Sequence, residues 1–352
     1  MLEVKNGKKY YDELNVFRSF IIIWVVIGHS FDSGNDFLGL LHGYAYTFHM
    51  KAFILLSGFF FYNKIKKLGG VKSCAALIGN RFLRLMVPYY FYTAISLVLK
   101  FLFERYANNK LGPHVILYSL IGLDNPNGGL WFLFALFVLN IVAIILYKLP
   151  SWATFILSAA AYIFYMCFGV LRETPILNWV FYYGIFFFLG MLLYSNYDKL
   201  SVKINDFSKN HLLPYGIVSV ALIPLAFIIT TFITKNIDGN DFSDLLIALF
   251  NIIVYYVLSI FVNSLVKVKA PFMTIGNYGM DIYLIGYYVQ IGLRVVLKSM
   301  LGLPYIVYSL SMFIFGLLLP IPISKYFVRK FRITRILALG DYKKTKPKDD
   351  EK

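Results

Sequence analysis

Arg18 and His29 stand eleven residues apart in an otherwise apolar run. On a helix, eleven steps of ~100° return to within about 20° of the start and rise ~16 Å. The two side chains therefore share a face and are separated by about half a hydrocarbon thickness. Ionisable groups inside a membrane span are costly, so each needs an explanation. Imidazole is the usual general base near neutral pH, although the same residue can be a core histidine hydrogen-bonded between helices. Arg81 and Arg84 are three residues apart and share a helix face. Two guanidinium forks there can clamp phosphates, although topology alone also puts arginine at a cytoplasmic helix end. His49 and Lys51 lie in the outer part of the next apolar run, with His49 at a depth similar to His29. Lys51 is expected to snorkel to the outer surface or to pair with Asp32 or Asp36. Asp281 falls near the middle of a later run, beside Asn277 and Tyr283. There it can orient a histidine or pair with Lys51. Trp131 opens another run, as an aromatic-belt residue or a sugar-stacking platform.

The elements that must carry these residues are membrane helices. The chain has 352 residues, of which 59% are hydrophobic and 15% charged. Its mean hydropathy is +0.68. A soluble domain of this size would expose too much apolar surface, and a disordered chain would be more polar. Ten runs are long and apolar enough to span, at roughly 16–34, 45–62, 83–103, 130–148, 152–171, 177–195, 211–234, 244–266, 272–298 and 305–328. The expected fold is all-α, one polytopic bundle of about ten transmembrane helices in a single domain, with 329–352 a basic tail. The net charge is +16, and its placement records topology rather than nucleic-acid binding. With both termini in the cytoplasm, 26 of the 34 Lys and Arg fall on the inner side and seven on the outer side. That bias predicts the orientation.

Between these runs, 104–129 forms the longest outer loop, and its half-apolar stretch Val115 to Leu123 reads as surface-lying or re-entrant. The first span lacks a small-residue cleavage pattern and reads as retained. The tail from Tyr342 onward reads as charged and disordered. Ser57-Gly58 reads as a close helix-packing point rather than a nucleophile. Cys74 and Cys167 match no metal or redox spacing. No phosphate-binding glycine loop, zinc spacing or carboxylate pair is present, so no metal is expected.

Taken together in order, these residues resemble the membrane acyltransferase 3 family. Arg18 to His29 within Phe17-Arg-Ser-Phe-Ile-Ile-Ile-Trp-Val-Val-Ile-Gly-His29 looks like its opening motif. Phe48-His-Met-Lys-Ala-Phe-Ile-Leu-Leu-Ser57-Gly58 resembles its second-span signature, especially in the fucose 4-O-acetylase-like O-acetyltransferase branch. Arg81-Phe-Leu-Arg84 with Val87-Pro88-Tyr89, Gly129-Leu-Trp131-Phe132, Phe186-Phe-Phe-Leu-Gly190 and Ile275-Gly276-Asn277 to Asp281-Ile-Tyr283-Leu284 are similar to later motifs. The similarity runs from about residue 12 to 330. Two positions depart from it. Lys51 stands where the branch often has Pro, and Gly286 where many members have His.

The resemblance implies transfer of an acyl group, usually acetyl from acetyl-CoA, to a hydroxyl of a glycan or lipid-linked sugar. It implies functional roles for Arg18, His29, Arg81 and Arg84. The expectation is an O-acetyltransferase of the cell membrane, with His29 as general base and the donor's phosphates on Arg18, Arg81 and Arg84. His49, Lys51, Trp131 and Asp281 are expected on the acceptor side. The partners expected are acyl-CoA, a cell-surface polysaccharide or its lipid-linked precursor, and the bilayer, with no nucleic acid. The other readings are a transporter or flippase of glycan intermediates, and the same chemistry with succinyl or another acyl donor.

Overall fold

The computed structural model describes residues 3–5, 8–34, 36–103, 112–236 and 240–342. Arg105, Lys110 and the tail after Tyr342 lie outside the described residues. Two short antiparallel strands, β1 (Glu3–Lys5) and β2 (Lys8–Tyr10), precede the helices. Then follow α1 (Asp12–Ser30), α2 (Phe37–Ile65), α3 (Val71–Arg81), α4 (Val87–Leu102), α5 (Pro113–Ile121) and α6 (Trp131–Ile145). The middle of the chain forms α7 (Ser151–Cys167), α8 (Val170–Glu173), α9 (Pro175–Phe181), α10 (Gly184–Tyr194), α11 (Tyr197–Asn210) and α12 (Leu212–Asn236). The last are α13 (Asp241–Ser264), α14 (Val266–Asn277), α15 (Gly279–Leu293), α16 (Tyr305–Leu318), α17 (Pro320–Ile323) and α18 (Arg332–Leu339).

The all-α membrane fold is as expected, and the span count is smaller. Among the described residues, eight helical segments are long and apolar enough to cross a membrane. The other two expected spans correspond to α2 and α7. The 29 residues of α2 would suffice, but His49 and Lys51 lower its hydropathy. The 17 residues of α7 fall short of a full crossing. The expected ninth span starts later than predicted, because the backbone breaks at Tyr278 between α14 and α15.

The chain divides into two compact units, Met1–Lys67 with Ile145–Ile321 and Leu68–Ile144 with Pro322–Lys352. In the first, α1 is the central helix. Its apolar window is 72% buried against 22% for α12, which marks α1 as interior and α12 as periphery. Ile22, Val25 and Val26 of α1 pack with Ile282 of α15 and Leu317 of α16. Gln290 of α15 donates to the Val26 carbonyl at 3.0 Å and to Ser30 Oγ at 2.8 Å. Helices α2 and α10 cross at glycines. A Cβ at Gly58 would strike the Phe187 carbonyl, and one at Gly190 the Leu55 carbonyl. With no hydrophobic drive between helices in lipid, such backbone contact supplies the packing. This bears out the packing role expected of Ser57-Gly58. Gly286 serves α15 and α16 likewise, since a Cβ there would stand 2.7 Å from the Gly316 carbonyl.

The entrance to α1 is tied down by tyrosines. Tyr197 of α11 donates to buried Glu13 at 3.0 Å, and Tyr11 donates to Asp198 at 2.7 Å. Burial, and then the bond to Asp198, pushes the Tyr11 hydroxyl above its ordinary range, so it stays a donor.

In the second unit, α3 continues into α4 through a π-turn at Phe82–Met86. Pro88 explains it. Proline has no N–H to give the Arg84 carbonyl and its ring crowds that carbonyl, so the helix widens one turn earlier. Val87 N–H bonds Phe82 O across the bulge. The stretch expected to be surface-lying or re-entrant forms α5, closed by Gly122 at φ +78°. Tyr89 and Tyr90 of α4 pin it by donating to the Ser119 and Leu120 carbonyls at 2.6 and 3.0 Å. Part of the expected tail is helix α18, which packs on α4.

Candidate active site

α1 is unbroken from Asp12 to Ser30, so the helical relation between Arg18 and His29 holds over its whole length. At the Arg18 end, the guanidinium donates to Asn15 Oδ1 at 3.4 Å and lies 5.3 Å from the Phe60 ring centre. Asn15 in turn donates to the Met273 carbonyl at 3.2 Å and to Asn277 Oδ1 at 3.0 Å. A Cβ on Gly279 would stand 3.3 Å from Arg18 Cδ. The α14–α15 break thus folds its backbone around this arginine.

Asp281 belongs to the same end. It is fully buried in the first turn of α15, two residues after Gly279. The sequence places it near mid-span. The break at Tyr278 instead makes it part of a helix start, where a carboxylate suits the dipole. Tyr287, the α15 residue that reaches His29, is six residues and ~9 Å of rise further on.

His29 occupies the last turn of α1. Its ring meets Tyr46 of α2 edge-on at 6.3 Å and Tyr287 edge-on at 5.9 Å between centres. Tyr46 also touches His42 at 4.7 Å and His49 at 5.1 Å. His42, Tyr46 and His49 follow one another at helical spacing on one face of α2. His49 is 2% exposed, and its Nδ1–H donates to the Ala45 carbonyl. A carbonyl only accepts, so Nε2 of neutral His49 keeps its lone pair. His42 Nδ1 donates to the Phe31 carbonyl at 2.7 Å and fixes the α1–α2 turn. The structure thus brings His29 and His49 to one aromatic cluster and adds His42, Tyr46 and Tyr287. The 42-46-49 spacing carried the signal for two of these. Tyr287 had none, because only packing brings α15 against α1.

Lys51 neither snorkels nor pairs as expected. It is buried, donates to the Thr47 carbonyl at 2.9 Å and lies 5.5 Å from the Tyr182 ring centre. Asp32 is held instead by Arg294 at 3.1 Å, and Asp36 caps α2 by accepting from Gly39 N at 3.1 Å. Both carboxylates are engaged at the turn before α2, roughly four helical turns from Lys51.

In the second unit, Arg81 ends α3 and Arg84 lies within the π-turn. The wider turn moves the pair off the single face that ideal i, i+3 spacing predicts. Arg84 Nη1 donates to the Leu339 carbonyl at the end of α18, at 2.8 Å. Trp131 begins α6 after a tight turn in which Asn127 Oδ1 accepts from Gly129 N at 3.0 Å. Asn125 donates to Thr93 of α4 at 2.8 Å and holds that turn.

These features define a class, a multi-pass helical membrane protein with cationic and imidazole groups along a buried helix. Residues 11–325 match the acyltransferase 3 family model, described as an acyltransferase domain. The chain belongs to this family, whose activity is acyl transfer in the membrane. Comparison with curated proteins and with solved structures finds no match.

Proposed function

We propose that the protein is an O-acetyltransferase of the cell membrane, with both termini cytoplasmic. It would move acetyl from acetyl-CoA to a hydroxyl of a cell-surface polysaccharide or lipid-linked sugar. The observation that carries this reading is the unbroken α1, which holds Arg18 and His29 on one face ~16 Å apart in a chain of this family. A guanidinium suits the donor's phosphates. A pantetheine arm running along the helix then brings the thioester towards the imidazole.

His29 takes the proton of the acceptor hydroxyl as its oxygen attacks the thioester carbonyl. The new C–O bond forms, the C–S bond breaks, and the coenzyme thiolate leaves and takes up a proton. Tyr46 and Tyr287 hold the His29 ring from two sides. Buried His49 and Lys51 are assigned to the acceptor side, and Trp131 to acceptor contact within its own unit. Asp281 is assigned to the Arg18 end as a group that orders the helix break there. Arg81 and Arg84 are assigned to phosphate binding in their own unit, with Arg84 also holding α18.

Mass spectrometry of surface glycans from cells making wild type, His29→Ala and Arg81→Ala tests this, with membrane abundance of each variant matched. An acetyl increment in wild type that disappears in His29→Ala at equal abundance is the expected result. No increment in any strain, with glycan export changed instead, would overturn the enzyme reading in favour of a transporter.

A further inference from the structure

Lys51 is a buried cation that lacks the partner a buried cation needs. It is 6% exposed, and it donates to a carbonyl of its own helix. An ammonium has three N–H donors, and a buried charge is costly unless paired. The carboxylates that act on it are Asp244 and Asp241 of α13. Among the described residues, neither reaches it as an ion pair. Asp241 is instead bound by Arg172, and its backbone carbonyl accepts from the Tyr162 hydroxyl.

Lys51 lies over Tyr182, and Tyr182 packs in turn with Tyr162 and Tyr165, the three ring centres standing 5.5 to 6.3 Å apart. Among the described residues, the Asp244 carboxylate and the Tyr165 and Tyr182 hydroxyls have no hydrogen-bond partner. The Arg172 side chain, over Tyr165 at 5.4 Å and half exposed, lies at the open side of the cluster.

The mixture selects the ligand. A free anion would meet Asp241 and Asp244, and a cation would meet Lys51. A ligand with several hydroxyls can accept from Lys51 and donate to Asp244 at once, and tyrosines suit its apolar edges. That is the chemistry of a sugar. Lys51 is also two residues from His49, about 200° around α2, so it faces away from the His29 cluster. We propose that Lys51, Asp244 and the surrounding tyrosine hydroxyls form a sugar-binding subsite for a unit of the acceptor other than the one that receives the acyl group. This rests on the acyltransferase reading above and makes the acceptor an oligosaccharide or polymer rather than a single sugar.

The test uses the full chain purified into lipid nanodiscs, with methyl glycosides of glucose, galactose and N-acetylglucosamine as probes. Saturation-transfer NMR reads sugar binding, and calorimetry reads acetyl-CoA binding on the same samples. At least one glycoside is expected to bind wild type. Lys51→Met and Asp244→Asn should weaken it by about tenfold or more, as loss of a charged hydrogen bond does. Lys51→Met should melt at or above the wild-type temperature, because it removes an uncompensated buried charge. A lysine with no part in sugar binding would show that stability gain without the loss of sugar. If no glycoside binds wild type, or if binding survives both substitutions, the subsite is wrong. Sugar binding that behaves as expected in a protein that fails to bind acetyl-CoA would support the subsite and refute the acyltransferase reading.

Discussion

His29 and Lys51 show how much a single residue's meaning depends on its surroundings. Both are basic groups on the packed helices α1 and α2, yet one faces tyrosine edges next to His49 and the other lies over Tyr182 on the opposite side of α2. For His29, replacement by Ala should cut transfer by at least about 10²-fold, the usual worth of a positioned general base. The Michaelis constant for donor should stay near wild type, measured with purified protein in liposomes. A donor constant that rises while turnover is kept would make His29 a binding residue instead. Arg81→Ala should do the reverse, raising the donor constant about tenfold or more with turnover largely kept. Arg84 is less clean to test, because its bond to the Leu339 carbonyl means that Ala there also loosens α18.

Elements decide which of these residues can act. The α2–α10 crossing places the His42-Tyr46-His49 face, and it depends on two backbones in contact at Gly58 and Gly190. Gly58→Val should therefore destabilise the protein by about 1–3 kcal/mol, the usual cost of overpacking, read as a lower melting temperature in detergent. Unchanged melting would mean that the crossing tolerates separation and that glycine is not needed there. The helix break at Tyr278 and the π-turn before Pro88 act in the same way. The first carries Asp281 to the Arg18 end, and the second turns Arg84 towards α18. Pro88 is visible in the sequence, and its effect on a helix is local, so the π-turn was legible in principle. The break at Tyr278 was not, because Gly276 and Gly279 are apolar-compatible residues that hydropathy passes over. Their role is set by the Asn15 and Arg18 groups packed against them.

At the scale of the whole molecule, the distribution of Lys and Arg predicts an orientation that can be measured directly. A reactive tag at either terminus should be labelled by an impermeant reagent only after cells are opened. Labelling in intact cells would reverse the assignment of the Arg18 end to the cytoplasm and with it the direction in which the donor approaches. Among the described residues, eight helical segments meet the length and hydropathy of a span, and α2 misses through His49 and Lys51, two residues assigned to function. A polar site lowers the hydropathy of the helix that carries it.

The sequence by itself determined the membrane class, the places of most helices, the shared face of Arg18 and His29, and the family. These follow from composition and from periodicity along one chain, which are local properties. Tertiary structure alone decided that Tyr287 meets His29, that the start of α15 packs on Arg18, and that Lys51 lies over Tyr182. Each of those joins helices far apart in the chain, and such contacts depend on how side chains of several helices fill one space.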